Sequence, residues 1–170
     1  MSKIKILILI FGVTFGCLGI ATAAPKSALE IEDAIRDVLG DRHPSDTRDW
    51  WRGLGPEATK IVIKVFESSS HTFERIRLLD ALAWFDDAVS VEFLKKQGRE
   101  ASDDVIKSTV IRSLGVSQGA KAMDAIGGFL TDPSPQVRFS AAEALKKMKE
   151  ARADALVEKM LLEEKVSWIA

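Results

Sequence analysis

Two histidines, His43 and His71, are the side chains of this sequence best suited to move a proton near neutral pH. His43 lies close in sequence to three carboxylates that could orient an imidazole as a general base, those of Asp41, Asp46 and Asp49. However, His43 precedes Pro44 in a predicted loop with no nucleophile or glycine-rich turn near it, and His71 lies near a predicted helix start. Since histidine is often found at protein surfaces, both are interpreted as solvated residues and no catalytic residue is predicted.

Two adjacent acidic pairs, Asp86–Asp87 and Asp103–Asp104, are further candidates because carboxylates can hold hard cations. Both pairs fall at predicted helix starts, where the positive end of the helix dipole favours a carboxylate, so we interpret them as caps. The sequence has no His-x-x-x-His, Glu-x-x-His or EF-hand spacing. Gly127–Gly128 lies inside a predicted helix, which favours a kink or a close helix crossing over a phosphate site. No metal and no cofactor is predicted.

The first 23 residues have the layout of a secretory signal peptide. Lys3 and Lys5 precede an uncharged apolar run over residues 6–20, and Ala21-Thr22-Ala23 forms a small-x-small cleavage site. We predict cleavage after Ala23, because a cut one residue later would place the rigid ring of Pro25 directly after the broken bond. The protein is therefore expected to be exported, to the periplasm or out of the cell.

Two other fates of this segment stay open. Residues 6–24 are long enough to remain in the inner membrane as an anchor, since about 20 apolar residues can span a bilayer. Cys17 would make the protein a lipoprotein if it were lipidated, although Phe15 departs from the small residues of a lipoprotein signal. Apart from this segment, no membrane association is predicted. Cleavage would remove the single cysteine and, with it, disulfides and thiolate chemistry.

The charge balance argues against one class of partner. The chain has 24 basic and 25 acidic residues, and loss of Lys3 and Lys5 with the signal peptide leaves 22 basic ones. A nearly neutral chain lacks the basic stripe that displaces counterions from nucleic acid, so no nucleic-acid partner is predicted.

A repeat with a step of 31 to 32 residues organises the rest of the chain. A basic residue recurs, and a leucine follows it seven positions later, in the pairs Arg75 and Leu82, Lys107 and Leu114, and Arg138 and Leu145. The positions between them repeat an apolar i, i+3, i+4, i+7 stripe, which is typical of a helix that buries one face. A second apolar helix precedes each of these, so the repeating unit is a helical hairpin.

The last copy of the repeat, over residues 131–145, resembles a known family. From Asp132 through Val137-Arg138 to Ala144-Leu145 it is similar to the Asp-x-x-x-x-Val-Arg-x-x-Ala-Ala-x-Ala-Leu core of HEAT repeats, in the short form also found in phycobilisome lyases. Earlier copies depart from the pattern, with Lys107 in place of the arginine and no valine before Arg75. The resemblance implies an all-α fold, a right-handed α-solenoid of about four HEAT-like hairpins plus a terminal helix.

Apolar periodicity and helix-end signals predict helices over residues 28–39, 46–54, 57–67, 72–85, 88–97, 103–114, 119–130, 135–148 and 151–163. A Ser27-x-x-Glu30 capping box opens the first helix, and Gly40 closes it. We divide the chain into the signal peptide at 1–23, a divergent N-terminal helical cap at 24–53 and a HEAT-like repeat domain at 54–170.

In HEAT-type stacks the second helix of each hairpin lines the concave side, and the resemblance places the helices predicted at 72–85, 103–114 and 135–148 there. Their non-core positions form two candidate partner-binding rows across the repeats, Arg77, Thr109 and Ser140 and, one turn on, Asp80, Arg112 and Glu143. The second row alternates acid, base and acid. Since packed helices lie about 10 Å apart, this row predicts a ladder of exposed ion pairs.

The tryptophans are candidates for packing or for binding. Adjacent helical residues point about 100° apart, so we expect one of Trp50 and Trp51 to pack in the core and the other to be partly exposed, as a candidate anchor for a partner. Trp84 and Trp168 are expected in core or cap packing.

The leading hypothesis is a non-catalytic scaffold or adaptor of the bacterial envelope that binds a protein or peptide along its concave helices. Two alternatives stay open. One is an enzyme or enzyme accessory like the lyases that share this repeat type, and the other is a membrane-tethered structural module.

Overall fold

The computed structural model describes residues 26–41, 46–85 and 87–165, and across these ranges the chain is helical without any strand. Its helices are α1 (Ala28–Gly40), α2 (Arg48–Arg52), α3 (Ala58–Ser68), α4 (Thr72–Leu82), α5 (Ala88–Glu100), α6 (Asp104–Gln118), α7 (Met123–Gly127), α8 (Pro135–Lys146) and α9 (Ala151–Glu163). Outside the described residues lie the predicted signal peptide with Cys17, and His43, Asp86 and Trp168. None of the described helices is long and apolar enough to span a membrane.

The starts of α1, α5 and α6 confirm the predicted caps. At α1 the Glu30 N–H donates to Ser27 Oγ at 3.3 Å, and Glu30 Oε2 accepts from the Ser27 N–H at 2.7 Å. Asp87 and Asp103 accept hydrogen bonds from backbone N–H groups in the first turns of α5 and α6. Each of these side chains satisfies donors that the start of a helix leaves without intrahelical partners.

The helix predicted over residues 119–130 is divided into three short segments. Turns of 3₁₀ helix over Gly119–Ala122 and Gly128–Thr131 flank α7, so the change of helix type falls between Gly127 and Gly128. A Cβ atom built on Gly128 would have no atom within 4 Å, and one on Gly127 would make an ordinary contact with Leu156 at 3.5 Å. The glycine pair therefore favours the predicted kink over the predicted close crossing.

Two layers of helices form an α-solenoid, as predicted from the repeat. In one layer α4 packs on α6 and α6 on α8, and in the other α3 packs on α5 and α7 on α9. The hairpins α3–α4, α5–α6 and α7–α8 connect the two layers. One hydrophobic core continues through the stack from Ile31 in α1 to Met160 in α9. The buried apolar stripes of successive helices therefore cover one another, which is what stabilises a repeat protein.

We call the layer that contains α1, α3, α5, α7 and α9 the outer layer. In it, side chains of α1 and α3 contact one another at the residue spacing of the sequence repeat. Lys64 Nζ lies 2.8 Å from Glu32 Oε2, and an Arg36 Nη2 contact to Ser68 Oγ measures 3.5 Å, each across 32 residues. Two contacts with the same separation show that α1 and α3 run parallel and in register. The step of the repeat thus extends to α1, upstream of residue 54, where the sequence resemblance to HEAT repeats becomes clear.

Candidate binding groove

A groove of about 590 Å³ lies between α6 and α8, in the layer that the resemblance predicts to be concave. Its volume is in the range of ligand pockets in proteins, roughly 300–1,000 Å³. A cavity of about 380 Å³ continues it towards α4 and shares Arg112 and Val116 with it. A separate cavity of about 500 Å³ beside α9 shares no lining residue with the groove. We therefore treat the groove between α6 and α8 as the candidate site.

Exposed apolar side chains lie towards both ends of the groove. Near the starts of the two helices the lining includes Val105, which is 51% exposed, and Phe139, which is 40% exposed. Near their ends it includes Val116, which is 54% exposed, and the half-buried Met148. The rest of the lining combines small residues, Ser108, Thr109, Gly115, Ser140 and Ala144, with the charged side chains of Arg112, Glu143 and Lys147. Exposed apolar surface of this kind, rimmed by polar groups, is typical of interaction sites.

Of the two ion pairs predicted between neighbouring repeats, one is present. Arg112 Nη2 donates to both carboxylate oxygens of Asp80 at 2.8 Å, across the 32 residues of one repeat. Glu143 instead pairs at 2.8 Å with Lys147, four residues later in its own helix. The predicted pair between α4 and α6 is confirmed. The pair predicted between α6 and α8 is replaced by the Glu143–Lys147 pair within α8.

We expect Arg112→Glu to lower the melting temperature, and to lower it more at low salt than at high salt. The side chains of Arg112 and Asp80 are 55% and 37% exposed, so their pair is worth only about 0.2–1 kcal/mol and is screened by salt. Thermal unfolding followed by circular dichroism at two ionic strengths measures the effect. Arg112→Met, which removes the attraction without adding repulsion, should give a smaller loss. Equal losses at both ionic strengths would contradict an electrostatic origin.

Arg77 and Thr109 are mostly buried, although Thr109 lines the groove and Arg77 lines the cavity that continues it towards α4. Arg77 is 13% exposed in its side chain, and its guanidinium donates to the carbonyls of Val38 and Leu39 and to Asp46. Thr109 is 3% exposed. Arg77 and Thr109 therefore offer little exposed surface to a partner, and their role in binding stays a prediction. The third member of this row, Ser140, is half-buried and lines the groove, but its hydroxyl donates to the Gln136 carbonyl at 3.0 Å.

The two adjacent tryptophans differ in burial, as predicted. Trp51 is completely buried, and its Nε1–H donates to Asp46 Oδ2 at 2.8 Å. Trp50 is half-buried, and its ring meets the Trp51 ring edge-on with 4.9 Å between the centroids. Trp51 therefore cannot anchor a partner without unfolding, and Trp50 keeps the anchor role only as a proposal.

Among the described residues, no group of three or more His, Cys, Asp or Glu side chains could hold a metal ion. His71 is exposed at the start of α4, as predicted, and its side chain makes no capping hydrogen bond there.

The apolar lining of the groove was not predicted from the sequence. The repeat register indicated polar positions as the binding rows, and apolar residues were expected in the core. Val105, Val116 and Phe139 all lie off the buried stripes of their helices. A branched or aromatic apolar residue outside the i, i+3, i+4, i+7 pattern was the signal that could have located the groove.

Comparison with known families finds a similarity over the repeats that form the groove. A family model described as HEAT repeats matches residues 91–170, which include α6 to α9 and most of α5. This match supports the HEAT-repeat resemblance in the part of the chain that contains both walls of the groove. No curated protein matches the chain.

Proposed function

We propose that this protein is a non-catalytic scaffold of the bacterial envelope that binds a protein or peptide in the groove between α6 and α8. HEAT repeats commonly mediate protein interactions, and their stacks offer extended concave surfaces for this purpose. The observation that supports this site above the others is the exposed apolar lining at both ends of a groove of about 590 Å³. Burying Val105, Val116 and Phe139 against a partner would remove their apolar surface from water.

The envelope location is proposed from the pattern of residues 1–23. Intact-mass measurement of the protein recovered from the envelope fraction tests it, because cleavage after Ala23, lipidation at Cys17 and retention of the segment give three different masses. A mass that begins at residue 24 supports export with cleavage. Recovery of the protein from the cytoplasm at full mass would contradict it.

Peptide binding can be tested before any partner has been identified. A library of random peptides displayed on phage is selected against the purified protein, and the enriched peptides are measured against the double variant Val105→Gln/Val116→Gln. We expect the variant to bind them at least about tenfold more weakly, because each exposed valine that a partner buries contributes on the order of 1 kcal/mol.

A matched control uses the outer layer. Val89 in α5 is 50% exposed, close to the 54% of Val116, and does not line the groove. Val89→Gln should leave the affinity unchanged. Peptides that bind both variants as well as the parent protein would place binding elsewhere, and failure to enrich any peptide would argue against a peptide-binding function.

A further inference from the structure

The groove lies between two helices that run in the same direction. Near the helix starts, Lys107 Nζ of α6 lies 2.8 Å from Asp132 Oδ2, just before α8. Towards the helix ends, a Cβ built on Gly115 would lie 3.8 Å from the Cβ of Ala144. The negative ends of both helix dipoles therefore meet at one end of the groove, and the positive ends at the other. A helix placed between them is favoured when it runs antiparallel to both.

The charged side chains at the two ends of the groove differ in sign. Around the end of α8, Lys146, Lys147 and Lys149 are exposed. They outnumber the one acidic residue that lines this part of the groove, Glu143, which pairs with Lys147 at 2.8 Å. At the start of α6, Asp103 and Asp104 are exposed. An ordinary helix favours carboxylates in its first turn and basic residues in its last turn. Placed antiparallel to α6 and α8, such a helix would bring its acidic turn to the lysines and its basic turn to the aspartates.

The spacing of the apolar residues also suits a helix. Val105 and Val116 are separated by eleven positions of α6, which corresponds to about 16 Å at 1.5 Å per residue. In a partner helix, positions i, i+4, i+7 and i+11 lie on one face and span the same length. The small residues Ser108, Thr109 and Ser140 leave room for its middle positions between the two valines.

We infer that the occupant of the groove is an acidic amphipathic helix of a partner protein, antiparallel to α6 and α8, with the carboxylates of its first turn beside Lys146 and Lys147. This inference rests on the proposed function and adds the conformation, direction and charge of the ligand. It treats the groove as a site for helix-in-groove recognition, in which the apolar face of the ligand supplies affinity and the charges set direction.

The probe is a stapled synthetic helix of about 18 residues, because the helicity of an isolated unstapled peptide depends on its length and on temperature. It carries leucine at i, i+4, i+7 and i+11, glutamates in the first turn, lysines in the last turn, and a photoreactive benzophenone at its N-terminus. A second peptide has glutamine in place of the glutamates. Fluorescence anisotropy should show that the glutamate peptide binds about tenfold more tightly at low salt, since each exposed ion pair contributes up to about 1 kcal/mol.

The protein variant Lys146→Gln/Lys147→Gln should abolish the difference between the two peptides. The matched control is Lys95→Gln/Lys96→Gln, an adjacent lysine pair in α5 that does not line the groove. That control should preserve the tenfold preference. Crosslinking by the benzophenone should label residues near 143–149, and labelling near 103–108 instead would overturn the antiparallel direction.

The remaining outcomes separate this inference from the proposed function. If selected peptides still depend on Val105 and Val116 but neither stapled helix binds, the groove binds peptides and the helical ligand is wrong. If the glutamate and glutamine peptides bind equally, the charge assignment is wrong. Sedimentation that shows a dimer lost in Val105→Gln/Val116→Gln would mean that a second copy covers the groove, which would also overturn the inference.

Discussion

Replacing Arg77 by methionine should lower the free energy of unfolding by about 3–5 kcal/mol, a large share of the stability of a domain of this size. The guanidinium is mostly buried and makes hydrogen bonds of 2.8 and 3.1 Å to the last carbonyls of α1 and of 3.2 Å to Asp46 Oδ1. Methionine fills much of the same space. It leaves the two carbonyls and Asp46 Oδ1 without the donor that Arg77 provides. Urea unfolding followed by circular dichroism measures the loss.

Arg112→Met is the matched control for this prediction. Arg112 lies one repeat away on α6, but its side chain is 55% exposed and it pairs with the Asp80 carboxylate at the surface, so its loss should be about 1 kcal/mol or less. A double variant Arg77→Met/Asp46→Asn should be less destabilised than the sum of the single variants, because Asp46 no longer carries an unpaired charge. Similar losses for Arg77→Met and Arg112→Met would show that Arg77 is not a structural residue.

The sequence was sufficient to predict the helices and their order. Burial on one face imposes the apolar period on each helix, and the cap at Ser27 and the prolyl start at Pro135 mark helix ends through local backbone chemistry. The repeat step then implies which helices are neighbours, because equivalent stripes must cover one another. These features depend on residues close in sequence or one period apart, where a single sequence is informative.

The functions of individual polar residues could not be predicted in the same way. Arg77 and Arg112 are both basic residues on concave-layer helices, yet one is held by backbone carbonyls 38 and 39 residues earlier and the other by a surface carboxylate. The difference depends on where the end of α1 lies relative to α4, which no period specifies. Glu143 likewise pairs with Lys147 in its own helix, whereas Arg112 pairs with Asp80 one repeat earlier.

Trp51→Ala should be about as destabilising as Arg77→Met, with an expected loss of about 3–5 kcal/mol. The indole is fully buried in the hydrophobic core, so its removal leaves a large cavity. Trp51→Phe retains most of the apolar contact but loses the hydrogen bond to Asp46, and should cost less. Trp50→Ala is the control, because Trp50 is half-buried and the cavity that it leaves opens to solvent. If Trp50→Ala lowers the free energy of unfolding as much as Trp51→Ala in urea, the burial of Trp51 does not explain its contribution to stability.

Asp46 connects this prediction with that for Arg77, since one carboxylate accepts from the Trp51 indole through Oδ2 and from the Arg77 guanidinium through Oδ1. The losses of Trp51→Phe and Arg77→Met should therefore not be additive, because each variant alters the environment of the shared acceptor. A coupling above about 0.5 kcal/mol in the double-variant cycle is expected. Additive losses would mean that the two bonds act independently. Coupling would mean that the two bonds depend on each other through the Asp46 carboxylate, which connects the buried indole of α2 with the guanidinium of α4.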